Sequence, residues 1–340
     1  MRSTPWLAPD RLEILLSGIG SQHVLVVGDM VADEYIYGTP QRISREAPVV
    51  ILEFNRRSIL PGGATNVAVN LRALGASVSV VGVIGDDESG RELGAALAGM
   101  GIGTTGLVVD PDRPTSTKTR IVGGGVQVVQ QQIVRIDRMS SDPLAGAPKD
   151  KLLREVALAR LEATALILSD YEHGVIDPEV GSLCLEKSRH PGLVTTVDAH
   201  GDLFRFKGMT LATPNQPEAE ATLGRPLRNV DDLCVGCAEL IAGMQAQGVL
   251  ITRGSQGMVA LDRNNSFTDL PALNHVEVRD ATGAGDTVAA VATLILGSGG
   301  TLDEAAVIGN VAASLVVRHF GAATVSRHDI SRAMHELEGH

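Results

Sequence analysis

Aromatic residues make up only 3% of the 340 positions, so few side chains can act as stacking platforms for bases or sugar rings. The 38 glycines point instead to many close turns. Cysteine is scarcer still: Cys184, Cys234 and Cys237 are too few for a disulfide framework. Cys234-Val-Gly-Cys237 has metal-ligand spacing, but no second Cys-x-x-Cys or His-x-x-x-His completes a site. It falls in the helical pattern Leu233, Cys234, Cys237, Leu240, Ile241, which reads as core. No apolar run approaches the roughly 20 residues needed to span a bilayer. Met1 to Asp10 lacks a basic stretch followed by an apolar segment, so the expected location is cytoplasmic. Positive charge is short as well, with 29 Lys and Arg against 40 Asp and Glu and a net charge of -11. That balance disfavours nucleic acid or an anionic membrane as partner. There is also no Gly-x-x-x-x-Gly-Lys-Ser/Thr phosphate loop, and the first strand opens into Gly28-Asp-Met-Val-Ala-Asp33 rather than Gly-x-Gly-x-x-Gly. An acidic chain that binds phosphate without these loops must use local backbone amides and a few cations.

What is present centres on Asp280-Ala-Thr-Gly-Ala-Gly-Asp286-Thr287, which runs directly into the apolar stretch Val288 to Leu296. Two glycines at i and i+2 before an alanine-rich run describe a tight turn opening into a helix. The first N-H groups of a helix lack internal partners and carry partial positive charge, so Gly283, Ala284 and Gly285 can hold an anion. Asp286 would repel that anion unless it handles a proton, as a base deprotonating a hydroxyl that attacks phosphorus. The alternative is an aspartate that caps its own helix.

Length suggests about two domains or one large α/β domain, and no repeat, low-complexity tract or linker divides the chain. The apolar strand His23 to Val27 closes on Gly28-Asp29, placing a carboxylate at a strand's carboxyl end, where open α/β sheets bind ligands. Asp29 and Asp33 are thus candidates for substrate hydroxyls, against a turn or cap role. Residues 34–60 read as strand without a helix of useful length. Pro61-Gly62-Gly63-Ala-Thr-Asn66 then opens a helix whose glycines allow close approach and whose Asn66 adds a donor and an acceptor; a plain helix start is the alternative. Thr115 to Arg120 and Val126 to Ile136 read as two strands joined across Gly123-Gly124-Gly125, with Lys118, Gln131, Gln132 and Arg135 alternating along them. Together with the strands near 35–54 they predict a small lid sheet, whose exposed edges favour pairing with a second copy. Further on, Asn215 and Glu218 have capping-box spacing. A strand leaves through Thr252-Arg253-Gly254 before Gly257, a turn suited to nucleotide phosphate and ribose, and Asn310 lies on a helix packed beside the Asp286 helix.

This ordered set, Gly62-Gly63 with Asn66, Asn215 with Glu218, Thr252-Arg253-Gly254, and Asp280 to Asp286, resembles the ribokinase-like (PfkB) carbohydrate kinases over essentially the whole chain. Closer still, Arg42-Ile-Ser-Arg-Glu-Ala-Pro48, Pro61 to Ala68, Thr117-Lys-Thr-Arg-Ile121, Gln131 to Asp137 and Ser169-Asp-Tyr171 are similar to D-glycero-D-manno-heptose 7-phosphate kinases, which supply the ADP-heptose route of lipopolysaccharide. The resemblance implies an α/β fold, a three-layer α/β/α sandwich with a mainly parallel central sheet over residues 10–340, and lid insertions at approximately 33–61 and 112–138. It implies an ATP-dependent, magnesium-dependent kinase acting on the anomeric hydroxyl of a heptose 7-phosphate. Asp286 would be the base, and Gly283, Ala284 and Gly285 the anion hole. Asn215 and Glu218 would hold Mg-ATP, Glu218 through water. Thr252, Arg253, Gly254, Gly257 and Asn310 would surround the nucleotide. Asp29, Asp33, Gly62, Gly63, Asn66, Lys118, Gln132, Arg135, Asp170 and His173 would face the sugar phosphate, and Asp280 with Thr282 would sit near a monovalent cation such as potassium. A homodimer through the lid and a separate nucleotidyltransferase, whose His-x-Gly-His motif is absent here, are the expected partners.

Two positions depart from the heptose-phosphate pattern. Asp170-Tyr-Glu-His173-Gly and Asp198-Ala-His200-Gly carry histidines where the family has lysines, so less positive charge is available for phosphate. The rivals are therefore a kinase of the same fold for another sugar, sugar phosphate or nucleoside, and a non-catalytic nucleotide- or sugar-binding regulator, which Asp286 argues against. His275 and His319 lack metal spacing and read as ordinary surface or core residues.

Overall fold

Alternation along the apolar strands decides the layering. The structure, a computed structural model, describes residues 7–125, 128–186, 192–273, 278, 280–319 and 321–338; His275 and the strand start at Val126 lie outside them. The chain runs α1 (Pro9–Gly18), β1 (His23–Gly28), β2 (Met30–Ile43), β3 (Val50–Gly63), α2 (Ala64–Ala73), β4 (Ser77–Gly85), α3 (Glu88–Gly99), β5 (Gly103–Asp110), β6 (Ser116–Gly125) and β7 (Val128–Arg138). It continues through α4 (Gly146–Ala159), β8 (Ala165–Asp170), α5 (Pro178–Leu185), β9 (Val194–Ala199), β10 (Leu211–Ala212), α6 (Gln216–Leu223) and α7 (Val230–Met244). The last part comprises β11 (Gly248–Thr252), β12 (Met258–Asp262), β13 (Phe267–Leu270), α8 (Ala284–Gly297), α9 (Leu302–Val316) and α10 (Arg327–Glu338).

The larger sheet has the order β13-β12-β11-β10-β9-β8-β1-β4-β5. Every neighbouring pair from β5 to β11 is parallel, and β12 and β13 close one edge antiparallel. On β1, Val24 and Val26 point to one face and Leu25 and Val27 to the other; on β8, Ala165 and Ile167 oppose Leu166 and Leu168. The first face packs α1, α2, α8 and α9, and the second packs α4, α5 and α7. Helices on both sides make the strands near-continuous apolar runs, as expected of a parallel sheet buried on both faces. This is the expected ribokinase-like α/β architecture. Cys237 is buried on α7, in the core as the helical spacing predicts, while Cys234 is half-buried.

A second sheet, β3-β2-β6-β7, joins a β2–β3 hairpin to a β6–β7 hairpin through a parallel β2–β6 pairing. One expectation is corrected here: Gly123-Gly124-Gly125 does not join two strands but lies within β6, because Gly123 and Gly125 pair with Gln131 and Val128. Ile43, Val50, Phe54, Val134 and Ile136 of this sheet are exposed. The site residues cluster at the carboxyl ends of the parallel strands. Asp29 follows β1, Asp170 ends β8, His200 follows β9, Asn215 lies beyond β10, and Thr252 ends β11.

Candidate active site

Gly283 precedes helix α8 at its N-cap with a left-handed φ of 77°; a Cβ there would stand 2.7 Å from Asn66 Nδ2. Asp286 is the third residue of the helix and is 7% exposed. It does not cap α8. Its Oδ2 accepts from Asn66 Nδ2 at 2.5 Å and its Oδ1 from the Tyr171 hydroxyl at 2.9 Å. Burial pushes the Asp286 carboxyl up, against the hydrogen bonds from Asn66 and Tyr171 and the charges of His200 and Lys118. A raised carboxyl is suited to accepting a proton near neutrality. Of the three amides expected to form an anion hole, Ala284 N-H is already donated to Ala281 O at 3.2 Å. Among the described residues no backbone carbonyl accepts from Gly283, Gly285 or Asp286 N-H.

Ala284, Gly285 and Val288 share one face of α8, while Asp286 points away from it, as 100° per residue dictates. That face lines a cavity of about 730 Å³ together with Asn215, Thr252, Arg253, Gly254, Gly257 and Asn310. Met258, Leu273, Val278 and Val317 supply an apolar wall. The volume lies within the range of small-molecule sites. Arg253 is held by Asp269 at 3.1 Å and Gln256 at 3.3 Å, and Asn310 Nδ2 donates to Pro271 O at 2.9 Å. All six residues expected around a nucleotide, Glu218 aside, therefore meet at one cavity.

Glu218 does not line it. Asn215 Oδ1 accepts from Glu218 N at 2.9 Å and Glu218 Oε2 accepts from Asn215 N at 2.8 Å, so the capping box is real. The remaining Oε1 is 2.6 Å from His200 Nδ1, an interaction that raises the His200 pKa. Nearby Asp198 is pushed up to about 7 by burial, then by the charges of Asp286 and Glu218. Among the described residues no three or more His, Cys, Asp or Glu are preassembled around a metal position. Asp198 and Glu218, whose charges repel one another, nonetheless fit a hydrated divalent cation, which would offset the repulsion. At the loop before α8, Asp280 Oδ1 accepts from Thr282 N at 2.9 Å and Thr282 Oγ1 at 2.7 Å, and Oδ2 from Gly321 N at 3.0 Å. Burial alone would raise the Asp280 pKa; these hydrogen bonds reverse that and keep it ionised, a charge compatible with a monovalent cation.

Several residues expected to face substrate also have partners within the protein. Asp29, 1% exposed, accepts from Tyr171 N at 2.7 Å and His173 N at 3.2 Å through Oδ2, tying the end of β1 to the loop after β8. Asp170 binds Arg205 and accepts from Glu172 N at 2.9 Å; burial and then Asp29 push it up to about 6. Asp33 is paired with Arg120 at 2.6 Å, and a Cβ at Gly62 would meet Asp33 Oδ2 at 2.6 Å. Gly63, at φ 53°, turns the chain from β3 into the Asn66 helix. Gln132 and Arg135 are exposed on β7, and Arg135 is paired with Asp137 at 2.5 Å. Lys118 does reach the site, with Nζ 5.3 Å from the Tyr171 ring centroid. His173 Nδ1 is buried without a partner, and burial, then Lys118, pushes the ring pKa down. Sequence reasoning missed Tyr171, Asp198, Arg120 and Arg205 as parts of the site. Tyr171 carried a usable signal: it follows an apolar strand ending in Asp170, at the same sheet edge as Asp29.

A family model described as pfkB family carbohydrate kinase matches residues 21–329. The bifunctional protein HldE of Geobacter metallireducens is 38% identical over 324 residues, 95% of this chain and 65% of that protein. HldE of Gluconobacter oxydans is 40% identical over 313 residues, 92% of this chain and 64% of that protein. The chain thus spans just under two thirds of the length of these relatives. In fold it is similar to Escherichia coli phosphofructokinase-2 in complex with potassium, with a TM-score of 0.73 at 21% identity, covering 93% of this chain and 99% of that one. Arabidopsis thaliana ribokinase complexed with ribose and ATP gives 0.69 at 20% identity, covering 92% and 98%. With the family model running from the first strand into the last helix, this chain belongs to the pfkB family of carbohydrate kinases, phosphotransferases that act on a hydroxyl acceptor.

Proposed function

We propose that the chain is an ATP-dependent kinase that phosphorylates the anomeric hydroxyl of D-glycero-D-manno-heptose 7-phosphate, toward ADP-heptose for lipopolysaccharide. The observation that carries the chemistry is Asp286, held between Asn66 and Tyr171 on a helix whose opposite face lines the cavity of nucleotide-type residues. In this reading the acceptor O-H gives its proton to Asp286 as its oxygen bonds the γ-phosphorus, and the bond from that phosphorus to ADP breaks. Amides at Gly283 and Gly285 stabilise the charge on the transferring group. Asn215, Thr252, Arg253, Gly254, Gly257 and Asn310 surround the nucleotide. Magnesium, held through water by Glu218 with Asp198 close by, would neutralise charge on the phosphates, and a potassium ion beside Asp280 and Thr282 would add positive charge at the turn. Of the basic substrate residues, Lys118 and His173 have no carboxylate partner among the described residues, whereas Arg135 is paired with Asp137.

The heptose phosphate rests on the motifs quoted from β2 to β8 and on the similarity to HldE proteins. His173 and His200 favour a second reading, a kinase of the same fold for another sugar phosphate. We further infer a homodimer through the small sheet, a cytoplasmic location, and a nucleotidyltransferase acting after the kinase. A coupled ADP-release assay over sugars, sugar phosphates and nucleosides separates the substrate readings: heptose 7-phosphate should turn over best, and faster turnover of ribose or adenosine would refute it. Asp286→Asn should lose about 10²- to 10⁴-fold in kcat; retention within a few-fold would refute the base.

A further inference from the structure

Tyr171 takes no part in the reaction as described so far, yet its hydroxyl makes one of the two side-chain hydrogen bonds recorded to Asp286 among the described residues. Its backbone is fixed first. Strand β8 ends at Asp170, and Tyr171 N-H and His173 N-H both donate to Asp29 Oδ2, so the end of β1 holds the loop. Glu172 then adopts φ 61°, and Gly174 adopts φ 78°, where a Cβ would stand 2.1 Å from Asp142 O. The ring is fixed next: it meets the His200 ring edge-on at 4.8 Å and 81°, and Lys118 Nζ lies 5.3 Å from its centroid. With backbone and ring both held, the phenol reaches Asp286 Oδ1 at 2.9 Å while Asn66, from α2, reaches Oδ2 at 2.5 Å. One donor on each oxygen fixes the plane of the carboxylate. An ionised carboxylate has about four acceptor positions, so the acceptor hydroxyl still finds a free lone pair.

We propose that Tyr171 is a positioning residue for the base: with Asn66 it fixes the Asp286 carboxylate toward the acceptor hydroxyl and holds it ionised until that hydroxyl gives up its proton. The inference rests on the reading of Asp286 as the base. Tyr171 is not itself the proton acceptor, because burial and then the Asp286 charge push its hydroxyl well above the ordinary phenol value. A hydrogen bond donated to the charged form favours that form, so removing it must favour the protonated carboxyl. The other groups around this pair are Lys118 from β6, Asp198 and His200 from the end of β9 and beyond it, and Asp33 from β2 on the Tyr171 side.

The test is Tyr171→Phe, which keeps the ring packing and deletes only the donor. Wild type, Tyr171→Phe and Asp286→Asn are compared in kcat across pH 5.5–9, using whichever acceptor in the panel turns over fastest. For Tyr171→Phe the acid limb of the profile moves up by about one pH unit and kcat at pH 7 falls about 5- to 50-fold. KM for ATP stays within about twofold of wild type. Placing 3-fluorotyrosine at the position strengthens the donor without changing its size, and it moves the acid limb the other way; this keeps the test open should the phenylalanine variant fold poorly. An unmoved acid limb with a uniform fall in kcat would make Tyr171 merely structural and overturn the proposal. If Asp286→Asn is inactive while neither Tyr171 replacement moves the limb, only the Tyr171 assignment fails. If Asp286→Asn retains turnover within a few-fold, the base reading fails and takes this inference with it.

Discussion

Replacing Gly285 with alanine adds one methyl group at the second position of α8, where a Cβ meets no atom within 4 Å. Gly285 is not among the residues with positive φ, so the backbone accepts alanine without strain. In a helix that exchange should stabilise the fold by about 0.5–1 kcal/mol. For 340 residues the unfolding entropy is about 0.7 kcal/mol/K, from roughly 2.1 cal/mol/K per residue, so Tm should rise by about 1 °C. Activity should move the other way. Gly285 lines the cavity, and its N-H has no backbone acceptor among the described residues. A methyl group there holds a phosphate away from the amide, and losing one such donor costs about 10²- to 10³-fold in kcat. Calorimetry and the coupled ADP-release assay read the two effects separately. Gly283→Ala is the contrast: at φ 77°, with Asn66 Nδ2 only 2.7 Å from the added Cβ, it should lower Tm by about 2–4 °C as well as activity. Turnover by Gly285→Ala within threefold of wild type would refute the assignment of this amide to phosphate.

Three further outcomes are expected. The Asp198 carboxyl, pushed up to about 7, keeps its proton in the fold at pH values where the unfolded chain has lost it, so the stability it lends is complete below about pH 4 and is lost as pH rises through about 7. Asp198→Asn should accordingly gain in denaturant midpoint over wild type progressively between pH 5 and 8, and magnesium should narrow the gap; a pH-independent difference would rule this out. Cys184 and Cys237 are buried and each is pushed up to about 12 by burial, so a thiol reagent followed by mass spectrometry should modify Cys234 in the native protein and all three after denaturation. Phe54, 65% exposed on the small sheet, should matter for self-association: sedimentation of Phe54→Glu should show monomer if two copies pair through that face, and an unchanged dimer would place the interface elsewhere.

Legibility in the sequence followed the range of the interaction. The turn at Gly283 and the helix behind it were readable because a helix start is set by a few adjacent residues, and the same holds for the Asn215–Glu218 box. The alternation that splits β1 and β8 between two cores was readable too, since strand periodicity is local. The partners of Asp286 were not, because Asn66 and Tyr171 lie 220 and 115 residues away and reach it only through the strand order β8-β1. The backbone partners of Asp29 were hidden for the same reason: which amides a strand-end carboxylate accepts from depends on the neighbouring strand. Strand β13, four residues of mixed polarity, offered too little periodicity to be drawn from the sequence, whereas helix α10 places Ile330, Ala333, Met334 and Leu337 at i, i+3, i+4 and i+7, a local signal that was there to be read.

The geometry also ties the small sheet to the two donors of Asp286. The β2–β3 hairpin pairs Met30 with Gly63 and Val31 with Gly62, and Thr65 Oγ1 donates to Gly62 O at 2.7 Å, so the register of the small sheet sets where α2 begins. Asn66 lies one residue further and holds Asp286. From the same sheet β6 carries Lys118 over the Tyr171 ring. A shift in the small sheet therefore moves a donor to the base and a cation beside its other donor together.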